Sequence, residues 1–267
     1  MDPTLLLAVQ VCAGVAAACW LLSVITREYS WVDRIWSLTP PVYVGIFAWQ
    51  SGWDPRLVLM TALTTAWGAR LTFNFARKGG YAKGGEDYRW DVLRQRMSPA
   101  QWHGFNVLFI AGYQNALLLL ISLPAWAAST HPGAPLGVLD LIATVGFVGS
   151  LIGETVADQQ QWNFYARRGR GEPVAERFNT TGLFGWSRHP NFFFEQAQWW
   201  FLYLYGVAAG AGWLNPTLIG AILLTLLFDG STRFTEHITR SKYPSYADYQ
   251  RRVSRWIPLP PRISTSS

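Results

Sequence analysis

Leu5–Ile25 reads LLLAVQVCAGVAAACWLLSVI, an unbroken stretch with no formal charge. A helix needs about 20 apolar residues to cross a hydrocarbon core about 30 Å thick, so this segment alone reads as a transmembrane helix. The MDPT before it carries an acid and lacks the basic region of a signal peptide, so the segment is expected to remain as a helix. Working outward, apolar runs recur at about 36–50, 56–76, 104–127, 137–157, 192–212 and 214–229, the first and last of these being short. Cys12 and Cys19 lie two turns apart on the first run, about 10 Å by helical rise. That is too far for a disulfide, and both read as packing residues.

Only 14% of the 267 residues are charged, against about a quarter in soluble domains. The mean hydropathy of +0.11 is low for a membrane chain because that scale counts Trp and Tyr as polar, and there are 15 Trp and 11 Tyr. The aromatic and aliphatic content excludes disorder. Basic residues cluster at Arg77, Lys78, Lys83, Arg89, Arg94 and Arg96, again at Arg167, Arg168, Arg170, Arg177 and Arg188, and from Arg233 to Arg262. The loops at 128–136 and 212–214 have none, and Arg56 is the single exception on that side. Seven spans put every cluster on one face, which the positive-inside rule makes cytoplasmic. The expected fold is therefore all-α: a polytopic integral membrane protein of seven transmembrane helices, N-terminus outside, basic loops and C-terminal tail cytoplasmic. The topology accounts for the net charge of +6 without nucleic acid. The final RISTSS reads as a frayed tail.

HExxH, CxxC, GxGxxG and GxSxG are all missing, which argues against zinc, a Rossmann domain and a serine hydrolase. Polar residues in or beside the runs are more informative, because hydrocarbon makes them expensive. Asp33 and Arg34 sit at the entrance to the second run. Arg70 and Asn74 share a face of the third, and Gln114 and Asn115 interrupt the fourth. Glu154 and Asp158 share a face, as do Asn191, Glu195 and Gln198. Together they could line one cavity open to the cytoplasm. Plainer roles compete: Asp33–Arg34 as an interfacial ion pair, Gln114 and Asn115 as interhelical hydrogen bonds, the arginines as topology signals. Pro190 suits the first turn of a helix, with Arg188 and His189 just before it. Such an end attracts anions, and Arg167, Arg168 and Arg177 upstream would help to grip a phosphorylated cofactor.

GLFGWSRHPNFFFE (182–195), HITRSKYPSYADYQRRVSRWIPLP (237–260), WVDRIWSLTP (31–40), WGARLTFNFARKGG (67–80) and GGEDYRW (84–90) together resemble the steroid 5α-reductase family, in particular its bacterial membrane branch. The resemblance implies a single membrane-embedded reductase domain over 1–267, with substrate-side helices in about 1–130 and the mainly cofactor-binding half in about 131–267. It implies NADPH bound from the cytoplasm of a bacterial inner membrane and a monomer without metal. It also implies a pocket, open to lipid, for a steroid-like conjugated enone such as a Δ4-3-ketosteroid. In that chemistry an acid hydrogen-bonds the carbonyl oxygen while hydride reaches the β-carbon. The acid falls on Asp33, where the family usually has glutamate. The family's tyrosine falls by offset near Trp67, and Tyr88 is the nearest phenol. The resemblance assigns the cofactor to Arg70, Asn74, Glu154, Asp158, Arg167, Arg188, His189, Asn191, Glu195, His237 and Arg240. Glu154 stands where the family has asparagine. Trp67, Gln114 and Asn115 are left to the substrate. A membrane methyltransferase using S-adenosylmethionine shares the RHPN turn, and a non-enzymatic helical membrane protein is the remaining alternative.

Overall fold

A computed structural model describes residues 2–262, so residues 263–267 of the expected frayed tail lie outside the described residues. Among the described residues every regular element is helical, and β pairing is confined to an isolated bridge between Ser187 and Ser254. The helices are α1 Pro3–Thr26, α2 Trp31–Ile35, α3 Thr39–Gln50, α4 Pro55–Arg77, α5 Tyr88–Arg94, α6 Pro99–Phe105, α7 Gln114–Ser129, α8 Val138–Gly169, α9 Pro190–Gly206, α10 Leu218–Lys242 and α11 Tyr246–Arg252. A π-helical segment, Asn106–Tyr113, joins α6 to α7, and another, Val207–Ala211, follows α9.

The starts of these helices are written in the sequence. Asp2 caps α1 by accepting from Thr4 N and Leu5 N at 2.9 Å, with Pro3 in the first turn. Asp54 followed by Pro55 repeats the device on α4, and Ser98 with Gln101 forms a capping box ahead of α6. Four helical stretches are long and apolar enough to cross a membrane: Pro3–Thr26, Pro99–Ser129, Val138–Gly169 and Leu218–Lys242. The chain is thus a helical membrane protein. α3 has 12 residues, about 18 Å of rise, short of a hydrocarbon core. α4 is long but carries Arg56, Arg70 and Arg77. Two helices outrun their apolar runs. α8 continues to Gly169, about 48 Å in all, and α10 to Lys242, so His237 and Arg240 are helical.

By internal contacts the chain forms two units. One takes the chain through Thr144 together with Trp200–Leu224; the other takes Val145–Trp199 together with the chain from Thr225 onward. Each unit draws on two separated stretches of the chain. The core of the first unit includes Tyr43, Val44, Phe47, Leu57, Met60, Trp67, Leu117 and Leu118. Close backbone approach is part of this packing. A Cβ on Gly68 of α4 would lie 2.4 Å from the Ser37 carbonyl, and one on Gly220 of α10 would lie 2.3 Å from that of Leu120. Arg56, the odd basic residue of the sequence, is 2% exposed in the same unit and held by Asp140 through Nε–Oδ1 at 2.7 Å and Nη2–Oδ2 at 3.0 Å. Its charge is neutralised in place. In the second unit, Phe178 packs with Tyr246, Tyr249 and Val253, fastening the C-terminal segment to the loop before α9.

Candidate functional sites

In the first unit, Asp33 is organised by the GGEDYRW segment. The Trp90 indole Nε1 donates to Asp33 Oδ2 and to Ser30 Oγ, each at 3.1 Å. Ser30 Oγ also accepts from Asp87 N at 3.2 Å, and its own proton goes to Asp33. Glu86 Oε1 accepts from the backbone amides of Ser30, at 3.1 Å, and Tyr29. The loop can fold this tightly because Gly85 has no Cβ; one would lie 2.1 Å from the Gly79 carbonyl. Burial pushes the Asp33 carboxyl above the usual range. The nearby Asp87 charge adds to the shift, while the Ser30 and Trp90 donors oppose it. The group is therefore biased toward the neutral acid.

Asp33 and Arg34 are not a pair, since adjacent helical residues point apart. Arg34 instead meets Glu28 at 2.6 Å, donates to Gly80 O at 3.3 Å and lies over the Trp31 ring. Arg34 lowers the Glu28 pKa. Tyr88 opens α5 and is 49% exposed, two residues from the indole that does reach Asp33. Trp67 is buried on α4, as is Asn74, whose Oδ1 accepts from Arg77 Nε at 2.9 Å. Arg70 is half-buried on the same helix, and Gln114 and Asn115 are buried where the π segment ends.

In the second unit the RHPN turn is tied to the C-terminal segment. Arg188 N donates to Ser254 O at 2.8 Å and His189 N to Arg255 O at 3.1 Å. The Arg188 guanidinium meets Glu236 through Nε–Oε1 at 2.6 Å and donates to the carbonyls of Gln250 and Val253. Glu236 also sits 3.0 Å from His189 Nε2 and accepts from Gln250 Nε2 at 2.9 Å. Burial keeps the Tyr246 and Tyr249 phenols protonated well above neutrality, and the Tyr246 hydroxyl lies 3.4 Å from Glu236.

An open cleft of about 360 Å3 lies here, lined by Arg188, Arg233, Glu236, His237, Arg240, Gln250 and Arg255. Asp229 holds Arg233, at 2.6 Å, and Arg255. Among the described residues His237 and Arg240 make no hydrogen bond or ion pair with protein, and both are exposed to the cleft. The cleft is cationic overall and suited to a phosphate-bearing ligand. Elsewhere in this unit Glu154, Asp158 and Glu195 are buried. Gln198 Nε2 donates to Glu154 Oε2 at 2.7 Å, and Trp199 Nε1 to Glu195 Oε1 at 3.3 Å. α8 and α9 meet where Gly153 makes room for the Phe194 ring. Asn191 is half-buried in the first turn of α9. Arg167 is exposed and meets Glu172 at 3.0 Å.

The structure thus brings Arg188, His237 and Arg240 to one cleft, with His189 joined through Glu236. Sequence reasoning missed Glu236, Ser30 and Trp90. Glu236 carried a signal, being the lone acid between Asp229 and Asp248 in a basic stretch. Among the described residues no group of three His, Cys, Asp or Glu side chains could hold a metal ion.

A family model described as "Protein of unknown function (DUF1295)" matches residues 19–253. The uncharacterized protein C594.04c of Schizosaccharomyces pombe is 39% identical over 258 residues, covering 90% of this chain and 75% of that protein. No solved structure matches the chain.

Proposed function

The chain belongs to the DUF1295 family, and we propose that it is an integral membrane reductase that uses NADPH to saturate the C=C bond of a conjugated enone. The observation that carries this reading is Asp33: a carboxyl biased toward its neutral form, with Trp90 fixing one oxygen and Ser30 a further donor to the group. A rigid neutral acid is what an enone carbonyl requires, because negative charge develops on that oxygen as the β-carbon is reduced. Bound NADPH supplies the hydride. Asp33 hydrogen-bonds the carbonyl oxygen, its proton stabilises the charge that forms there, and a proton from water added at the α-carbon completes the saturation. Trp90 holds the carboxyl in one orientation, so little reorganisation accompanies the reaction.

The second unit is suited to the dinucleotide. His237 and Arg240 offer donors that none of the described residues occupies, and Arg188, Arg233 and Arg255 add charge. Arginine in this number favours NADPH over NADH, because a 2′-phosphate is a dianion matched by the guanidinium fork. The substrate proposed from the family resemblance is flat and apolar, a Δ4-3-ketosteroid reduced to its 5α-dihydro product after entry from the lipid. Seven spans, an external N-terminus and a cytoplasmic basic face complete the reading.

The test begins with the small molecule that survives purification in mild detergent. A nicotinamide dinucleotide, identified by mass, supports the redox class; S-adenosylmethionine or its demethylated product refutes it. Asp33→Asn should then lower turnover far more than NADPH affinity, and equal loss of both would remove Asp33 from the acid role.

A further inference from the structure

Two carboxylates on α10 serve the cationic cleft, and they are held in different ways. Glu236 is buried and meets Arg188, His189 and Gln250, groups from the RHPN turn and from α11, so it belongs to the frame of the unit. Asp229 lies about two turns earlier on the same helix. Among the described residues its carboxylate bonds only Arg233 and Arg255, and both of these line the cleft. Arg233, one turn further along α10, sends Nε to Oδ2 at 2.6 Å and Nη2 to Oδ1 at 3.4 Å. Arg255 reaches the same Oδ1 from the C-terminal segment. Neither guanidinium has another hydrogen-bond partner among the described residues; Arg255 adds only the ring of Trp256, 5.1 Å away. The Arg233 side chain is 67% exposed, and those of Asp229 and Arg255 are 29% and 25% exposed, so a solute can reach all three.

A carboxylate shared by two guanidiniums stands where a phosphate between them would stand, and it uses the same donors. We propose that Asp229 is an internal counter-anion of the cleft: it yields Arg233 and Arg255 to a phosphate of the dinucleotide and takes them back as the cofactor leaves. This deepens the NADPH reading and rests on it for the identity of the ligand. A reductase that consumes NADPH must release the oxidised cofactor in every cycle, and that molecule carries the same phosphates. Product release sets the rate of many enzymes. By competing for two arginines Asp229 lowers the affinity for both forms of the cofactor. It also gives each guanidinium a partner as the phosphate departs, so release strands no charge. Glu236 has no such freedom, because its partners hold the RHPN turn against α11.

The experiment compares the native protein with Asp229→Asn, which keeps the shape and removes the charge, and Asp229→Glu, which keeps the charge. Dissociation constants for NADPH and for inorganic pyrophosphate are measured by calorimetry in detergent. Release of NADPH is followed by the loss of energy transfer from tryptophan to the nicotinamide. Asp229→Asn should bind both ligands about fivefold more tightly, the upper range for a part-exposed ion pair, and should release NADPH more slowly. Asp229→Glu should stay within about twofold of the native protein. A carboxylate that only positioned the arginines would give the opposite sign, so weaker or unchanged binding in Asp229→Asn overturns the proposal. Equal tightening in Asp229→Glu overturns it as well, and a damaged fold does not tighten binding. If NADPH binds none of the three proteins but pyrophosphate binds in the expected order, the reductase reading falls and the counter-anion stands. If neither ligand binds any of the three, the counter-anion falls too.

Discussion

Replacing Arg56 by methionine should be among the most damaging single changes in the first unit. Arg56 makes two bonds to Asp140, at 2.7 and 3.0 Å, and two more to the carbonyls of Ala134, at 3.3 Å, and Pro135, at 3.0 Å. Methionine fills much of the same space but leaves Asp140, 4% exposed, without its guanidinium partner and with the Gly137 amide still donating to it at 2.9 Å. Stranding one member of a buried ion pair costs about 3–5 kcal/mol. For a chain of this size each kcal/mol corresponds to about 2–4 °C, so the melting temperature in detergent should fall by on the order of 10 °C. Removing both charges together, as Arg56→Met with Asp140→Leu, leaves no stranded ion and should recover most of that loss. Thermal unfolding followed by tryptophan fluorescence reads all four proteins of the cycle. A single variant within about 1 kcal/mol of the native protein would refute the reasoning, because surface ion pairs lie in that range. So would a double variant no better than the worse single one.

Two further predictions concern the sites. The Asp33 carboxyl has its folded pKa raised, so the neutral acid is full at low pH and is lost as pH rises through that value; kcat/KM should fall on the alkaline side. Trp90→Phe removes a donor that favours the carboxylate, so this alkaline limb should move to higher pH, and a shift to lower pH would contradict the assignment. Arg240→Gln should weaken NADPH binding by about tenfold while leaving NADH nearly unaffected. Titration of intrinsic fluorescence with both nucleotides checks this, and equal losses would place Arg240 away from the 2′-phosphate.

The helices were largely legible because their signals are local. Asp2–Pro3, Asp54–Pro55 and Ser98–Pro99 announce their helix starts within two residues. The ends of α8 and α10 were not, since an apolar run marks the extent of hydrocarbon and a helix can continue past it into water on exposed arginines. Arg56 looked anomalous as a charge on the sparsely charged side; its partner lies 84 residues away, a separation no spacing rule reaches. The same holds for the sites. His237 and Arg188 could be named from the tail and the RHPN turn, but Glu236, which organises that turn, sits one residue before a named histidine and drew no notice. The sequence offers Tyr88 as the nearest phenol to the matched position. The geometry instead gives the contact to Trp90, whose N–H positions a carboxyl without titrating.

The interleaved units have a consequence for how the chain is made. The first unit is completed by Trp200–Leu224, and the second opens at Val145 and resumes at Thr225. A ribosome adding about 5–20 residues per second therefore starts the second unit before it has delivered the last helices of the first. No stopping point along the chain yields one finished unit and an unstarted other. Fragments cut near residue 130 should not fold as separate halves, and membrane insertion must hold the early helices in an unfinished state until Leu224 has emerged.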